Sequence, residues 1–449
     1  MERHVQGRHQ LSSTSRERQL VSVVQRNRGI SKAVLSIPES ATHGTAAKLV
    51  GLNRGVAADD QIIDLSIGAL DTPTDPRIDR GVIDFIEQRS ETVHAFAPVK
   101  GFTFLRESIA ARVARLHGIE YDPDTEVMVT PGGVKGSISA TFHALLDPGD
   151  EVVIPVPNWP HYSDMVRLHE AIPKTVLVPA DEGLTARALE GALSERTKIV
   201  VLGDCINPTG KIYSTAELSE LAQVLARHNT RRQDRGESPV HVLFDTPYEA
   251  HVLGDRATTF AALDVPLAGG DRCSMRPWTV SVTGPGKTYG MHGDRIGYLC
   301  GPQDIVEAAA RAQVNLTSFA STYGQVATHI ALQPEMDEVA TFRAKIARSN
   351  LEAMLQELQP IPSLRVSPPQ GGYFLFVDLS AHADAYQRLG HATAEQFLLA
   401  EAKVATIAGS HFAHGEALDH FVRINCGRTG SLLTEAATRI RHALTRLES

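Results

Sequence analysis

The clearest repeating pattern of apolar positions along the chain is helical. In the stretch FTFLRESIAARVARLHG (102–118), Leu105, Ile109, Val113 and Leu116 recur at intervals of three and four residues. Residues with this spacing share one face of an α-helix, and the glycine that closes the stretch is a common helix end. The pattern therefore predicts an amphipathic helix over these residues.

A different pattern, short uninterrupted apolar runs, fills the middle of the chain. Each run is rich in Val and Ile, as expected for strands that are buried on both faces of a parallel sheet. Helical patterns such as STAELSELAQVLARH (214–228) lie between most of the runs. The sequence thus predicts an α/β fold, with a mainly parallel sheet covered by helices on both faces. The predicted strands are 151–156, 198–204, 240–245, 278–283 and 296–300.

Changes in the pattern predict the domain organisation. Residues 1–60 are predicted to be an N-terminal arm and connector, and residues 61–334 a large domain. A polar stretch inside that domain, NTRRQDRGESP (229–239), is predicted to be a surface insertion. Residues 335–449 are predicted to form a smaller α/β domain, joined by part of the N-terminal segment. Its strands are predicted at 371–378 and 420–425.

Composition and charge narrow the possible classes of protein. The 449 residues are 42% hydrophobic and 21% charged, as in ordinary globular proteins. The net charge of −8 gives no reason to expect nucleic acid or an anionic membrane surface as a partner. No apolar run approaches the roughly 20 residues of a membrane helix. The four cysteines lack C-x-x-C spacing, so neither a metal site nor a disulfide framework is predicted, and we expect a cytoplasmic enzyme.

Polar and aromatic residues follow the predicted strands, at the edge where open α/β sheets bind ligands. Asn207 lies in a Pro-Gly turn after one strand, Asp245 ends the next, and Trp159 lies between prolines after a third. Lys287 follows the strand at 278–283. Each residue alone has a structural explanation as a turn residue, a helix cap, part of the core or a solvated lysine. Their shared position at one sheet edge favours a ligand site.

The stretch SVTGPGKTYGMHGDRIGY (281–298) is compatible with two kinds of chemistry. One is a phosphate-binding P-loop, whose pattern ends in GK[ST]. That pattern requires a glycine where this chain has Ser281, and the residues after the lysine are broken by glycines rather than helical. The other is a lysine that forms a Schiff base with a cofactor whose phosphate is held by Arg295. The sequence favours this second chemistry.

Taken together, the motifs resemble those of the class I/II aminotransferase family, enzymes of fold type I that use pyridoxal 5'-phosphate. The likeness runs from about residue 60 to the C-terminus. The motifs occur in the family's order: TPGG, PNWPHY, NPTG, DTPY, a lysine followed by an arginine eight residues later, GGYF and VRIN. NPTG alone is a weak signal, whereas the ordered set is specific.

The resemblance implies a role for each motif residue. Lys287 would carry the Schiff base and then move the Cα proton, and Asp245 would keep the pyridine nitrogen protonated. Arg423 would grip the α-carboxylate of an amino-acid substrate. The implied cofactor-binding residues are Gly132, Gly133, Val134, Trp159, Asn207, Asp245, Tyr248, Thr283, Lys287 and Arg295, and the implied substrate-binding residues are Arg423, Asn207 and Gly68.

Two positions depart from the family pattern. Gly284 stands where the family usually has a serine that binds the phosphate, and a one-residue shift of the loop would let Thr283 substitute for it. Phe96 stands where many members have a tyrosine whose hydroxyl reaches the phosphate bound in the partner subunit. The resemblance still implies a homodimer with the active site at the interface.

Three functions are compatible with these residues. The lead hypothesis is an aminotransferase that passes the amino group of an α-amino acid to a 2-oxo acid. A second keeps the cofactor but performs elimination, cyclisation, oxidation or carbon–carbon bond formation, for example on S-adenosylmethionine or arginine. A third, a regulator with an aminotransferase-like sensor domain, requires a winged helix-turn-helix, for which the first 60 residues show no pattern.

Overall fold

The structure is a computed structural model that describes residues 29–38, 49, 51–57, 60–89, 93–254, 258–267, 270–361, 363–413 and 415–448. Residues 29–38 belong to a separate unit that ends at Pro38, and they contain helix α1 (Lys32–Leu35). Most of the predicted N-terminal arm lies outside the described residues. The remaining elements belong to the unit Glu39–Ser449.

Strands and helices alternate through most of this second unit. The strands are β1 (Ile63–Asp64), β2 (Val127–Pro131), β3 (Glu151–Val156), β4 (Ile172–Leu177), β5 (Thr197–Gly203), β6 (His241–Asp245), β7 (Asp264–Pro266), β8 (Arg272–Ser274), β9 (Thr279–Thr283), β10 (Ile296–Cys300), β11 (Arg365–Ser367), β12 (Phe374–Asp378), β13 (Val404–Ala405), β14 (Ile407–Ala408) and β15 (Phe421–Asn425). The helices are α2 (Pro76–Gln88), α3 (Thr103–His117), α4 (Val134–Leu145), α5 (His161–Leu168), α6 (Ala186–Ala192), α7 (Thr215–Asp234), α8 (Pro285–Tyr289), α9 (Gln303–Leu316), α10 (Thr322–Ala331), α11 (Asp337–Leu358), α12 (Ala383–Arg388), α13 (Ala394–Phe397) and α14 (Gly430–Glu448). None of the helices in the described ranges is long and apolar enough to cross a membrane.

Seven strands form the large sheet, in the order β2–β10–β9–β6–β5–β3–β4. Strands β9, β6, β5, β3 and β4 pair in parallel, whereas β10 is antiparallel to both of its neighbours. The prediction of a mainly parallel sheet is confirmed. Because β10 runs in reverse, its first residues lie at the same edge as the last residues of the parallel strands.

Alternate residues of the central strands pack against two different layers of helices. On one face, Val200 and Val242 join the apolar side chains of α6 and α7. On the other face, Val201 and Leu243 join those of α4 and α9. This is the two-sided burial that the uninterrupted apolar runs predict, because successive side chains of a strand point to opposite faces.

A second, antiparallel sheet has the order β11–β12–β15–β14 and lies in the C-terminal third of the chain. Its core contains side chains from α11 and α14 together with Ile63 and Leu65. Strand β1 also pairs in parallel with β13. Residues that follow the N-terminal segment are therefore built into the same core as the C-terminal residues.

The polar stretch 229–239 is not simply a surface insertion, because α7 continues through its first half to Asp234. The side chain of Asn229 is fully buried. Its amide nitrogen donates to the carbonyl oxygen of Val240 at 2.9 Å, and its Oδ1 accepts from the Val240 N–H at 2.8 Å. The surface prediction is wrong at this position because a polar side chain can be buried when it satisfies backbone groups.

Candidate active site

A cavity at the carboxyl edge of the large sheet brings together most of the predicted site residues. Its volume is about 680 Å³, within the range of roughly 300–1,000 Å³ typical of small-molecule sites. Its walls come from the ends of β3, β5, β6 and β9, the start of β10, and β15 of the second sheet. The predicted residues that line it are Gly68, Gly133, Val134, Trp159, Asn207, Asp245, Tyr248, Lys287, Arg295 and Arg423.

Lys287 lies in α8, the short helix that begins directly after Gly284. Its Nζ donates a hydrogen bond to the carbonyl oxygen of Gly68. Burial of the ammonium group lowers the pKa of Lys287 to about 7, and the positive charges of Arg423 and Arg295 act in the same direction. A lysine with this pKa is partly uncharged at neutral pH, as a nucleophile or a base must be.

Asp245 ends β6 and is buried in the cavity wall. The hydroxyl of Tyr162 donates a hydrogen bond of 2.5 Å to its Oδ2, while Oδ1 has no partner among the described residues. Burial raises the pKa of Asp245 to about 7, and the hydrogen bond from Tyr162 acts in the opposite direction. The free Oδ1 can therefore accept a hydrogen bond from a ligand in the cavity.

Arg295 and the first residues of α4 form a cationic end of the cavity. The N–H of Gly133 donates to the carbonyl oxygen of Arg295 at 2.9 Å, and Arg295 donates to the carbonyl oxygen of Gly132. A Cβ atom at Gly133 would lie 3.1 Å from Nη2 of Arg295, and φ is +73° there, so the close approach requires glycine. A guanidinium beside the free N–H groups of a helix N-terminus suits a phosphate.

Arg423 projects from the middle of β15 and is buried without an ion-pair partner among the described residues. Its Nη1 donates to Oδ1 of Asn207 at 3.0 Å, and its Nη2 donates to the carbonyl oxygen of Ser66. Its Nε has no hydrogen-bond partner within the described ranges. A buried guanidinium held only by neutral groups is suited to an anionic ligand.

The remaining lining residues surround Lys287 and the cavity mouth. The ring centroid of Tyr248 lies 5.8 Å from Nζ of Lys287. Gly68 is so placed that a Cβ atom would lie 3.7 Å from Arg423 and 3.9 Å from Lys287. Trp159 is half-buried at the start of α5. These positions place an aromatic ring and the backbone at Gly68 close to the two cationic side chains.

The side chain of Thr283, just before α8, does not reach the cavity that contains Lys287. The hydroxyl of Thr283 donates to the carbonyl oxygen of Thr246 at 2.8 Å, and Thr283 lines a separate small cavity. The placement corrects the prediction that Thr283 substitutes for the missing serine, because alternate residues of β9 point to opposite faces of the sheet. At Gly284 a Cβ atom would lie 2.7 Å from the carbonyl oxygen of Ile296, so this backbone has no room for a serine.

Besides Thr283, two positions singled out in the sequence lie outside the cavity lining. Gly132 contributes its carbonyl oxygen to Arg295 but does not line the cavity. Phe96 is 91% exposed, and its ring centroid lies 5.7 Å from that of Phe319. The family's tyrosine hydroxyl is therefore replaced here by an exposed apolar ring.

Two cavity residues, Tyr162 and Lys135, are missing from the sequence predictions. Lys135 is the second residue of α4, and its Nζ lies 5.3 Å from the ring centroid of Trp159. Burial lowers the pKa of Lys135, and the charge of Arg295 adds to that shift. Tyr162 ends the motif PNWPHY, and Lys135 is the second residue after the motif TPGG, so the polar side chains in and next to these motifs are the sequence signal for both.

Comparisons with known proteins bear directly on this site. A family model described as aminotransferase class I and II matches residues 60–440. The chain belongs to this family. The aspartate aminotransferase of Streptomyces avermitilis is 30% identical over 423 residues, which are 93% of this chain and 97% of the relative. That of Rhizobium meliloti is 32% identical over 395 residues, 86% of this chain and 90% of the relative.

Solved structures give the same result for the fold of this aminotransferase. The crystal structure of the aspartate aminotransferase from Rhizobium meliloti matches with a TM-score of 0.80 at 29% identity, over 93% of this chain and 99% of that chain. The predictions of family, fold class, reaction class and cofactor are confirmed. The aminotransferase acts on an amino acid and uses pyridoxal 5'-phosphate.

The cavity residues fit this cofactor. Asp245 offers a buried oxygen without a partner to the pyridine nitrogen, and Lys287 offers an amine with a pKa of about 7. The cradle formed by Arg295 and Gly133 suits the phosphate.

Proposed function

We propose that this aminotransferase takes its amino group from an amino acid whose side chain carries a second carboxylate, such as aspartate. One observation supports the proposal above all: besides Lys287 and Arg295, which are assigned to the cofactor, the cavity contains two further cations, Arg423 and Lys135, that form no ion pair with a described carboxylate. A substrate with two carboxylates satisfies both. The relatives named as aspartate aminotransferases support the same substrate class.

Arg423 binds the α-carboxylate in this proposal. Its guanidinium is held in place by Asn207 and Ser66, so little side-chain freedom is lost when the substrate binds. Its planar fork also matches the geometry of a carboxylate. The close approach of Gly68 leaves room for the substrate backbone beside Lys287.

Lys135 binds the distal carboxylate. Its Nζ lies over Trp159, at the N-terminus of a 12-residue helix whose dipole also favours an anion. Burial lowers the pKa of Lys135, and a bound carboxylate opposes this shift because it stabilises the ammonium form. The acidic side chain is thus recognised by charge.

Pyridoxal 5'-phosphate, when bound, supplies an aldehyde and an electron-withdrawing ring. Lys287 would hold the aldehyde until the amine of the substrate displaces it, and the freed Nζ would then move the proton of the substrate Cα, for which a pKa of about 7 is well matched. Asp245 holds the ring nitrogen through Oδ1. The other proposed cofactor contacts are Asn207 and Tyr248 at the phenolic oxygen, Trp159 at the ring face, and Arg295, Gly133 and Val134 at the phosphate.

The substitution Lys135→Met tests the substrate class, because it removes the charge and keeps the length of the side chain. Loss of a charge-assisted hydrogen bond is worth about 1.5–3 kcal/mol, so kcat/KM for aspartate should fall roughly ten- to hundredfold. The kcat/KM for leucine should stay level or rise. Lys345→Met on the exposed face of α11 is the matched control. An equal loss for both amino acids, or no loss, would contradict the proposed role of Lys135.

We also infer the assembly that the family resemblance implies, a homodimer with the active site at the interface. Exposed apolar side chains support it. Phe96 is 91% exposed, and Val314 and Leu316 at the end of α9 are 47% and 59% exposed. Such side chains are typical of a surface that a partner covers.

The predicted domain division and cellular location stay proposals. A boundary near residue 335 is supported by the second half of α11, where Leu351, Met354 and Leu358 pack in the core of the antiparallel sheet. The contribution of Ile63 to that core supports a smaller domain joined by part of the N-terminal segment. All four cysteines are free, which is typical of a cytoplasmic protein.

A further inference from the structure

The two oxygens of the Asp245 carboxylate have different surroundings because Tyr162 contacts only one of them. The Tyr162 hydroxyl donates to Oδ2 at 2.5 Å, whereas Oδ1 is buried and has no partner among the described residues. Both side chains are only 5% exposed, so water reaches neither freely. One oxygen is therefore fixed by the protein, and the other is left for a ligand in the cavity.

The chain segment after β3 fixes the position of Tyr162. This residue lies in the first turn of α5, and its ring centroid lies 5.1 Å from that of Trp159 at an interplanar angle of 83°. Edge-to-face pairs of this kind are favourable and directional. The motif PNWPHY thus places a tryptophan in the cavity and, three residues later, a tyrosine whose hydroxyl reaches Asp245.

The electrostatics of the pair depend on the tyrosine hydroxyl. Burial raises the pKa of Asp245 to about 7, and the Tyr162 hydrogen bond opposes that shift because it stabilises the ionised carboxylate. Burial also raises the pKa of Tyr162 well above its ordinary value, so the hydroxyl keeps its proton and acts as a donor. Without this donor the carboxyl group would hold a proton more tightly.

We propose that Tyr162 is a positioning residue that keeps Asp245 ionised and aimed at the ring nitrogen of pyridoxal 5'-phosphate. The proton shared by the carboxylate and the ring nitrogen then stays on the nitrogen, where it is needed for the ring to withdraw electrons. This inference rests on the proposed role of Asp245 as the partner of the ring nitrogen.

Tyr213, a buried tyrosine elsewhere in the fold, is a control for the general effect of removing a buried hydroxyl. The side chain of Tyr213 is 1% exposed, and its hydroxyl accepts a hydrogen bond from the N–H of Leu184 at 2.7 Å. Tyr213 does not line the cavity that holds Lys287. Removal of its hydroxyl should therefore lower stability without affecting the cofactor.

The test compares Tyr162→Phe with Tyr213→Phe in the holoenzyme loaded with cofactor that carries nitrogen-15 in the ring. In Tyr162→Phe the nitrogen-15 chemical shift should move toward that of unprotonated pyridine. Its kcat should fall roughly ten- to hundredfold, the usual range for loss of a hydrogen bond to a charged group, with little change in KM. In Tyr213→Phe the chemical shift and kcat should stay at wild-type values. Equal chemical shifts in wild type and Tyr162→Phe would overturn the proposal.

A double-mutant cycle with Asp245→Asn separates this inference from the role of Asp245. If Tyr162 acts through Asp245, Tyr162→Phe has no further effect on the nitrogen-15 shift or cofactor affinity in the Asp245→Asn background. An effect that persists in that background would overturn the proposal. If Asp245→Asn changes the nitrogen-15 shift and Tyr162→Phe does not, only the role of Tyr162 is wrong. If neither substitution changes it, the assignment of Asp245 is wrong as well.

Discussion

At the scale of single residues, the low pKa of Lys287 follows from its surroundings. Burial is the largest cause, and the nearby guanidinium groups of Arg423 and Arg295 add to it. The same two arginines are proposed to hold the anionic groups of substrate and cofactor. The charges proposed to bind ligands therefore also help to keep the amine of Lys287 uncharged.

Replacement of Arg423 tests this coupling. In Arg423→Met the pKa of Lys287 should rise above about 7, because one of the charges that lower it is lost. The measurement is the rate of acylation of Lys287 in the cofactor-free protein as a function of pH, followed by peptide mass spectrometry. Arg428→Met, at an arginine paired with Asp71, is the control. An unchanged midpoint in Arg423→Met would contradict the coupling.

Sequence patterns found some of these residues and missed others for a physical reason. Lys287, Asp245 and Asn207 follow strands directly, so the parallel-sheet rule places them at one edge. The contact between Tyr162 and Asp245 joins residues 83 positions apart, and no local spacing predicts it. Thr283 is a candidate for the phosphate only through a one-residue shift of the loop, and a sequence motif does not define which face of β9 its side chain occupies.

At the scale of elements, one buried guanidinium joins the helix that carries Lys287 to its neighbours. Arg112 of α3 donates to Glu249 at 2.6 Å, to the hydroxyl of Tyr289 in α8 at 2.9 Å, and to Asp337 of α11 at 3.0 Å. Arg112 and Glu249 are both buried. This network fixes α8 against α3 and the first turn of α11.

The substitution Glu249→Gln should strongly destabilise the fold. It leaves the buried charge of Arg112 with only one carboxylate partner, Asp337, whose side chain is 39% exposed. Breaking a buried ion pair in this way costs about 3–5 kcal/mol. Urea unfolding would measure the change. The double variant Arg112→Met with Glu249→Met should lose less than Glu249→Gln alone, and a larger loss in the double variant would contradict the argument.

The same pair gives a pH dependence of stability. Burial alone would raise the pKa of Glu249, but the charge of Arg112 overcomes this and holds the pKa at about 2. The carboxylate therefore contributes stability above the ordinary pKa of glutamate, near 4.3, and loses it as the pH falls toward about 2. Unfolding free energies measured across this range should fall more steeply in wild type than in Glu249→Gln.

Element positions were predictable from hydrophobic runs to within a few residues, but strand direction was not. The run at 296–300 is β10, which is antiparallel to its neighbours although its composition matches that of parallel strands. Direction depends on the path of the chain between strands. The apolar run alone contains no information about that path.

At the scale of the whole molecule, the proposed homodimer can be measured directly. Sedimentation equilibrium of the wild type should give twice the chain mass of 48.6 kDa. Phe96→Glu together with Leu316→Glu should weaken association, because the substitutions place charges in an apolar contact. Matched substitutions of exposed leucines, Leu168→Glu at the end of α5 and Leu177→Glu at the end of the edge strand β4, should leave the mass unchanged. A monomeric wild type would contradict the assembly.

The family could be recognised from the sequence because its motifs keep their order along the chain. The substrate class could not be predicted, because its proposed recognition depends on where Lys135 lies relative to Trp159 and Arg423. In the folded chain both cations line one cavity, and neither has a carboxylate partner among the described residues. The proposal of an acidic substrate rests on that arrangement.

The visible absorbance of the purified holoenzyme during addition of single amino acids tests this account most directly. We expect aspartate to convert the yellow cofactor to its pyridoxamine form more efficiently than leucine does, and a 2-oxo acid to restore the original spectrum. Conversion that is equally efficient with leucine, or a spectrum that no amino acid changes, would contradict the account.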